Sequence, residues 1–210
     1  MKEYWENKFQ KTDTAWGDEP ADSAIQTCNF FLQNKIRNVL IPGIGYGRNA
    51  KVFVENGMNV TGIEISATAI KLAKEKSNLD ITIHNGSVNQ MPFDNTKFDG
   101  IFCYALIHLL NKNERKRFLN NCYNQLLANG FMIFVVVSKK DNMYGSGKQL
   151  SKDRFELMKG LNVYFYDLDS ATKEFENYGL IDIQEIDEPI KHMKNHPPLK
   201  LLMIKCQKVG

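Results

Sequence analysis

A chain of 210 residues with 43% hydrophobic and 24% charged residues can bury a sheet between two helical layers and is too apolar for disorder. Its net charge of +3 comes from scattered Lys and Arg with only small clusters such as Arg115, Lys116 and Arg117, so no basic stripe exists to follow a phosphate backbone and nucleic acid is not an expected partner. The start, MKEYWENKFQK, lacks a secretory apolar core, and the longest apolar runs, Ile101–Leu110 and Phe131–Val137, are too short to cross a bilayer.

A polar, aromatic-studded N-terminal segment precedes a helix expected over Ala21–Lys35. Arg37–Ile41 reads as a buried strand, Arg48–Glu55 as a helix closed by Asn56-Gly57, and Asn59–Glu64 as a second strand. Ser66 is an N-cap for a helix over Ala67–Lys76. Leu79–His84 alternates as a third strand, and Phe98–Tyr104 is a fourth. An amphipathic helix over Lys112–Leu127 ends near Asn129-Gly130, before a β-branched fifth strand, Phe131–Val137. Asp141–Lys148, glycine-rich and polar, reads as a mobile loop, and Ser170–Tyr178 as a helix stopped by Gly179. Leu180–Ile186 and Leu199–Gln207 are consecutive strands, expected to be antiparallel because a parallel return needs a crossover. The alternation predicts an α/β fold: a Rossmann-like, doubly wound, seven-stranded sheet, mostly parallel with an antiparallel C-terminal strand. A single domain over 1–210 is expected, with a covering segment and helix (1–36), a cofactor-binding core (37–140) and an acceptor-side insertion with the final strands (141–210).

Cys28, Cys103, Cys122 and Cys206 lie far apart, with no paired spacing and no histidine at metal-ligand distance. They read as reduced thiols of a cytoplasmic protein without a metal site. His192 and His196 read as surface residues.

The stretch Val39–Asn49, VLIPGIGYGRN, is a strand running into a glycine-rich turn that opens a helix, and the next strand ends in a carboxylate, Glu64. Such a turn lets backbone approach a ligand while the acid accepts ribose hydroxyls. Gly43, Gly45 and Gly47 give G-x-G-x-G, and Arg48 fills the place of the last glycine of a dinucleotide fingerprint. That spacing argues against NAD or FAD and for a ribonucleoside without phosphates, of which S-adenosylmethionine is the commonest case. Arg48 and Asn49 stand at the helix start, where N–H groups favour an anion such as the cofactor's carboxylate, although Arg48 also reads as a surface charge.

These residues resemble the first motif of class I S-adenosylmethionine-dependent methyltransferases. Gly62–Ser66 is similar to the second motif, Ile83–Phe93 to the adenine-contacting segment and Phe98-Asp99-Gly100-Ile101 to the fourth-strand motif, while Leu127-Ala128-Asn129-Gly130 stands where a Pro-Gly turn is usual. The resemblance implies S-adenosylmethionine as cofactor, S-adenosylhomocysteine as product, and cofactor contacts from Gly43, Ile44, Gly45, Arg48, Asn49, Glu64, Ile65, Ser87 and Val88. Ile41 and Ser87 depart from it, standing where acids are usual; the first removes a partner for the methionine ammonium. Pro42–Gly47 with Trp16–Pro20 is similar to a small-substrate branch that includes thiopurine, thiol or halide, and tellurite-resistance methyltransferases, whose N-terminal segment folds over the cofactor. Trp16 then suits packing on a sulfonium, or else packs the first helix onto the domain.

Tyr104 and His108 follow the fourth strand, at the edge where an acceptor lies. A histidine can take the acceptor's proton and a tyrosine can orient it, whereas His108 inside an apolar run also reads as packing. The aromatics of Asp141–Asp167 either shape an acceptor pocket or pack a helix on the sheet. The expected activity is in-line methyl transfer to a small molecule, among them a thiol, a halide or a metalloid oxyanion. A non-catalytic S-adenosylmethionine-binding regulator and, behind it, a nicotinamide oxidoreductase are the alternatives.

Overall fold

A computed structural model describes residues 2–12, 14, 16–75, 79–193 and 195–210. The chain opens with helices α1 (Lys2–Lys11) and α2 (Asp22–Gln33). Strand β1 (Asn38–Pro42), helix α3 (Ala50–Glu55), β2 (Asn59–Glu64), α4 (Ala67–Glu75), β3 (Thr82–Asn85) and β4 (Phe98–Tyr104) follow. Then come α5 (Lys112–Gln125), β5 (Leu126–Val137), β6 (Lys148–Ser151), β7 (Arg154–Met158), β8 (Leu161–Tyr164), α6 (Leu168–Phe175), β9 (Leu180–Glu188) and β10 (Leu199–Gln207).

Seven strands form one sheet in the order β3-β2-β1-β4-β5-β10-β9. The first five are parallel, and β10 runs antiparallel to both β5 and β9, as the short connection between β9 and β10 requires. Successive residues of the inner strands point to opposite faces, and both faces are covered. Ile41, Phe102 and Ile133 meet α2 and α3 through Phe31 and Phe53. Leu40, Ile101 and Phe134 meet α5 and α6 through Phe118 and Phe175. Strand order reverses between β1 and β4, which opens a crevice at the carboxyl ends of the strands. Among the described residues no helix is long and apolar enough to cross a membrane.

The expected elements are recovered with shifted ends. α3 starts at Ala50 rather than Arg48, and β3 at Thr82 rather than Leu79. Lys76, the expected end of α4, lies outside the described residues. The fifth helix stops at Gln125 and β5 begins at Leu126, well before Phe131. Asn129 adopts a φ of +64°, and a Cβ on Gly130 would lie 2.8 Å from the Asp99 carbonyl oxygen, so the chain here bulges past β4 instead of continuing as helix.

Two regions differ in kind. The first eleven residues, read from sequence only as a polar, aromatic-studded segment, include a helix, α1. Residues 141–167 hold no packed helix but a second sheet, antiparallel β6-β7-β8. Positive φ at Asp153 (+61°) and Gly160 (+85°) lies in the turns between its strands. Tyr144, Phe155 and Phe165 pack edge to face under it, with centroids 5.5 to 6.0 Å apart. The loop expected to be mobile is anchored: Asp141 accepts from the Met143 and Lys200 amides, and Tyr144 Oη donates to Asp153 at 2.8 Å.

Candidate functional site

The turn after β1 needs glycine. Gly43, Gly45 and Gly47 have φ of +69°, +59° and +85°, a region L side chains rarely enter. The Gly43 and Ile44 amides donate to the Ile63 carbonyl at 2.8 and 3.1 Å, tying the turn to β2. Gly62 on β2 permits this approach, since a Cβ there would come within 2.7 Å of Ile44.

Glu64 ends β2 beside that turn. Its Oε2 accepts from the Gly45 amide at 2.9 Å, and its Oε1 accepts from Ile65 and Ser66 at 2.8 and 2.9 Å. The residue is only 6% exposed, and burial pushes its carboxyl above the usual carboxylate range despite those donors. Among the described residues no Lys, Arg or His lies within 4.0 Å of it. Oε2, with a single donor, has room for another.

Arg48 and Asn49 fasten the chain that crosses the turn. Arg48 Nη1 donates to the Trp16 carbonyl at 2.9 Å, and Asn49 Oδ1 accepts from the Ala21 amide at 2.9 Å. Tyr46 Oη accepts from the Trp16 amide and donates to the Gly17 carbonyl at 2.6 Å. Trp16 stacks on Tyr46 with an interplanar angle of 6°. The anion expected at the helix start is thus met here by a peptide carbonyl of the strap.

α1 lies over the same region. Glu6 accepts from Ser66 Oγ at 2.7 Å and from the Thr68 hydroxyl and amide. These bonds, the Thr68 hydroxyl's first, hold its carboxyl below the usual range. Ser66 Oγ in turn caps α4 by accepting from the Ala69 amide at 3.1 Å, as expected. Trp5 and Phe9, one helical turn apart, pack on Trp16 at 6.0 Å each. Tyr4 Oη reaches Met158 Sδ at 3.3 Å, so α1 also touches the small sheet. The i, i+4 aromatic pair with Glu6 between was the available sign of this helix.

Ser87 caps a short 3-10 turn, Val88–Gln90: its Oγ accepts from Asn89 and its amide donates to Gln90 Oε1. Phe93 folds back on His84, ring over ring at 5.3 Å, against Gly86, where a Cβ would collide with it at 2.5 Å.

A cavity of about 330 Å³ joins these parts, and Trp5, Trp16, Gly43, Ile44, Gly45, Arg48, Asn49, Glu64, Ile65, Ser87, Val88, Tyr104 and His108 all line it. Its size suits a small ligand. Ile41 is absent from the lining and buried in the core, so the cofactor's ammonium finds no partner there. His192 and His196 are exposed on the connection between β9 and β10.

The far end is apolar, walled by Leu109, Val137, Leu157, Leu161, Val163 and Leu201. Tyr104 is half-buried, and burial pushes its hydroxyl up to about 12. His108 sits in a 3-10 turn, Ile107–Leu109, only 7% exposed. Its Nδ1 accepts from the Val137 amide at 3.3 Å, and burial lowers its pKa to about 3. Neutral, with Nδ1 accepting, the ring carries its proton on Nε2. The general-base role expected of His108 does not fit this state.

Residues 40–134, from β1 into β5, match the family described as a methyltransferase domain. The likeness to methyltransferases thus lies in the segment that holds the glycine turn, Glu64 and β4. An uncharacterized methyltransferase of Anoxybacillus flavithermus is 36% identical over 97 residues, 46% of this chain and 45% of that protein. The chain spans about half the length of the curated relatives it matches. The fold around the domain is similar to that of Burkholderia thailandensis 1,6-didemethyltoxoflavin-N1-methyltransferase, solved with its substrate and S-adenosylhomocysteine, at a TM-score of 0.77 and 15% identity over 100% of this chain and 87% of that one. TehB from Haemophilus influenzae is similar at a TM-score of 0.64 and 16% identity, over 97% of this chain and 67% of that one.

The residues that line the cavity fit S-adenosylmethionine, the cofactor that the sequence resemblance implies. Glu64 Oε2, with no Lys, Arg or His within 4.0 Å among the described residues, can accept from a ribose hydroxyl, while Gly43 and Gly45 present backbone to the cavity beside it.

Proposed function

We propose that the chain transfers a methyl group from S-adenosylmethionine to a small-molecule acceptor. The observation that carries this reading is Glu64, a buried carboxyl group with no cation beside it among the described residues, in the same cavity as an apolar chamber behind β4. When bound, the sulfonium supplies an activated methyl group: the acceptor's lone pair forms the new bond to carbon as the carbon–sulfur bond breaks onto sulfur. The chain's residues align the partners and keep water out. Glu64, the glycine turn, Ile65, Ser87 and Val88 hold the nucleoside, with Arg48 and Asn49 acting through the strap they fasten. Trp16, Phe9 and Trp5 cover it, and Tyr104 and His108 face the acceptor.

Enclosure of the cavity by α1 and the β6-β7-β8 sheet supports a small acceptor. We further read 1–210 as one working unit, in which 1–36 covers the cofactor, 37–140 binds it and 141–210 closes the acceptor side. All four cysteines are buried and unpaired, which supports a reducing, cytoplasmic setting. Release of S-adenosylhomocysteine from labelled cofactor, measured across thiols, halides, selenite, tellurite, quinols and phenols, tests the activity. Cofactor binding without turnover of any acceptor would favour a regulatory binding protein instead, and an NADH-induced thermal shift would favour the oxidoreductase.

A further inference from the structure

We propose that the methyl acceptor is an uncharged, largely apolar molecule carrying a hydrogen-bond-accepting atom beside its nucleophile, and that His108 Nε2–H holds that atom. This rests on the methyl-transfer reading above and narrows it.

The charge inventory of the cavity comes first. Among its described lining residues only Glu64 and Arg48 are charged. Glu64 stands at the nucleoside end, and an anion is repelled by it. Arg48 is bound to the Trp16 carbonyl at 2.9 Å and lies over the Tyr104 ring at 5.8 Å. The acceptor end has leucine and valine walls contributed by β5, β7, β8, β10 and the 3-10 turn. Selenite, tellurite or iodide would shed water there with Arg48, already bound to the Trp16 carbonyl, as the one cation of the described lining to offset the loss. An apolar body gains by the same transfer.

His108 supplies a donor to that chamber, in addition to the Tyr104 hydroxyl. Its Nδ1 is occupied by the Val137 amide. No described residue makes a hydrogen bond to its Nε2, although the ring lines the cavity. Burial keeps the ring neutral, so it presents one N–H and takes no proton. A site that aims this donor at its ligand rejects analogues that lack the matching acceptor atom. Transfer then needs no side-chain base: a neutral nucleophile gives its lone pair to the methyl carbon, the sulfur keeps the pair of the broken bond, and a proton on the nucleophile leaves the cationic product for bulk water.

The test uses the whole protein with S-adenosylmethionine and three acceptor groups at neutral pH: 8-aminoquinoline, a neutral amine beside an accepting ring nitrogen, 1-aminonaphthalene as its match without that nitrogen, and the anions selenite, tellurite and iodide. The expected order of kcat/KM is 8-aminoquinoline, 1-aminonaphthalene, anions, with a KM for 1-aminonaphthalene about tenfold above that of 8-aminoquinoline. His108→Phe should raise the KM for 8-aminoquinoline to the 1-aminonaphthalene level while S-adenosylhomocysteine affinity by calorimetry is unchanged. His108→Gln, which also forfeits the Val137 contact but keeps a donor near Nε2, should restore most of the loss. Preference for the anions, equal KM for the two amines in the wild type, or no acceptor methylated by a protein that binds S-adenosylhomocysteine would each overturn the acceptor class. Failure to bind S-adenosylhomocysteine at all would overturn the methyl-transfer reading itself.

Discussion

Replacing Glu64 by Gln separates the two tasks the carboxylate performs. In the free protein Oε1 serves two amides and Oε2 serves one. The best glutamine rotamer keeps its carbonyl on Ile65 and Ser66 and turns its NH2 toward the Gly45 N–H, leaving one buried donor unpaired at a cost of about 1–3 kcal/mol. Against this, the substitution removes a buried negative charge whose desolvation already raises its pKa. The two effects oppose each other, so the melting temperature should move little. In the complex nothing compensates: a ribose hydroxyl that donated to a charged oxygen now meets an NH2 group, a loss of about 2 kcal/mol. That corresponds to roughly 30-fold weaker S-adenosylhomocysteine binding. Isothermal calorimetry at neutral pH, paired with a thermal melt to verify folding, reads both quantities. An affinity within twofold of wild type in a folded variant would refute the assignment of Glu64 to the ribose.

The same carboxylate sets a pH dependence of opposite sign in the two states. Because its folded pKa is raised, its contribution to the stability of the free protein is fully present below the unfolded pKa and lost as pH rises through the folded one. Cofactor binding, which uses the ionised form, should instead weaken as pH falls through that raised pKa, and Glu64→Gln should flatten the profile measured by calorimetry. Glu6→Gln loosens the bonds to Ser66 and Thr68; amide exchange of α1 should quicken about fivefold, for roughly 1 kcal/mol, and unchanged exchange would mean the aromatic cluster alone docks the helix. Glu188, buried at the end of β9, accepts from the Asp22 and Ser23 amides at 2.7 and 3.1 Å. Its replacement by Ala should cost about 2 kcal/mol, lowering the melting temperature by roughly 4–8 °C. Trp5 and Trp16 both line the cavity, so quenching of tryptophan fluorescence by S-adenosylhomocysteine should persist in part in Trp16→Phe and in Trp5→Phe alone and vanish only in the double variant.

What could be read from sequence follows the range of the forces involved. The parallel core was legible because Val39–Ile41, Ile101–Cys103 and Phe131–Val137 are apolar on both faces, and the turn was legible because three glycines must take positive φ. Glu64 stood out by its place after β2. The bonds of Arg48 and Asn49 to the strap were not legible, since the strap lies about thirty positions upstream and nothing local marks the pairing. α1 was missed because its mean polarity is that of a solvated segment and its docking depends on the distant Ser66 and Thr68. The β6-β7-β8 sheet was hidden by short, largely exposed strands whose pairing is set by turns at Asp153 and Gly160. His108 stood out by its place after the fourth strand, but its proton state depends on the Val137 amide, 29 residues away.

α1 touches three separate parts of the molecule: α4 through Glu6, the strap through Trp5, and β7 through Tyr4. On the proposed reading one helix covers both ligands, which would make their affinities a linked pair. By whatever factor bound nucleoside favours the docked helix, acceptor binding would be strengthened, and the acceptor would return the same factor to the nucleoside. Departure of either product would then weaken the hold on the other.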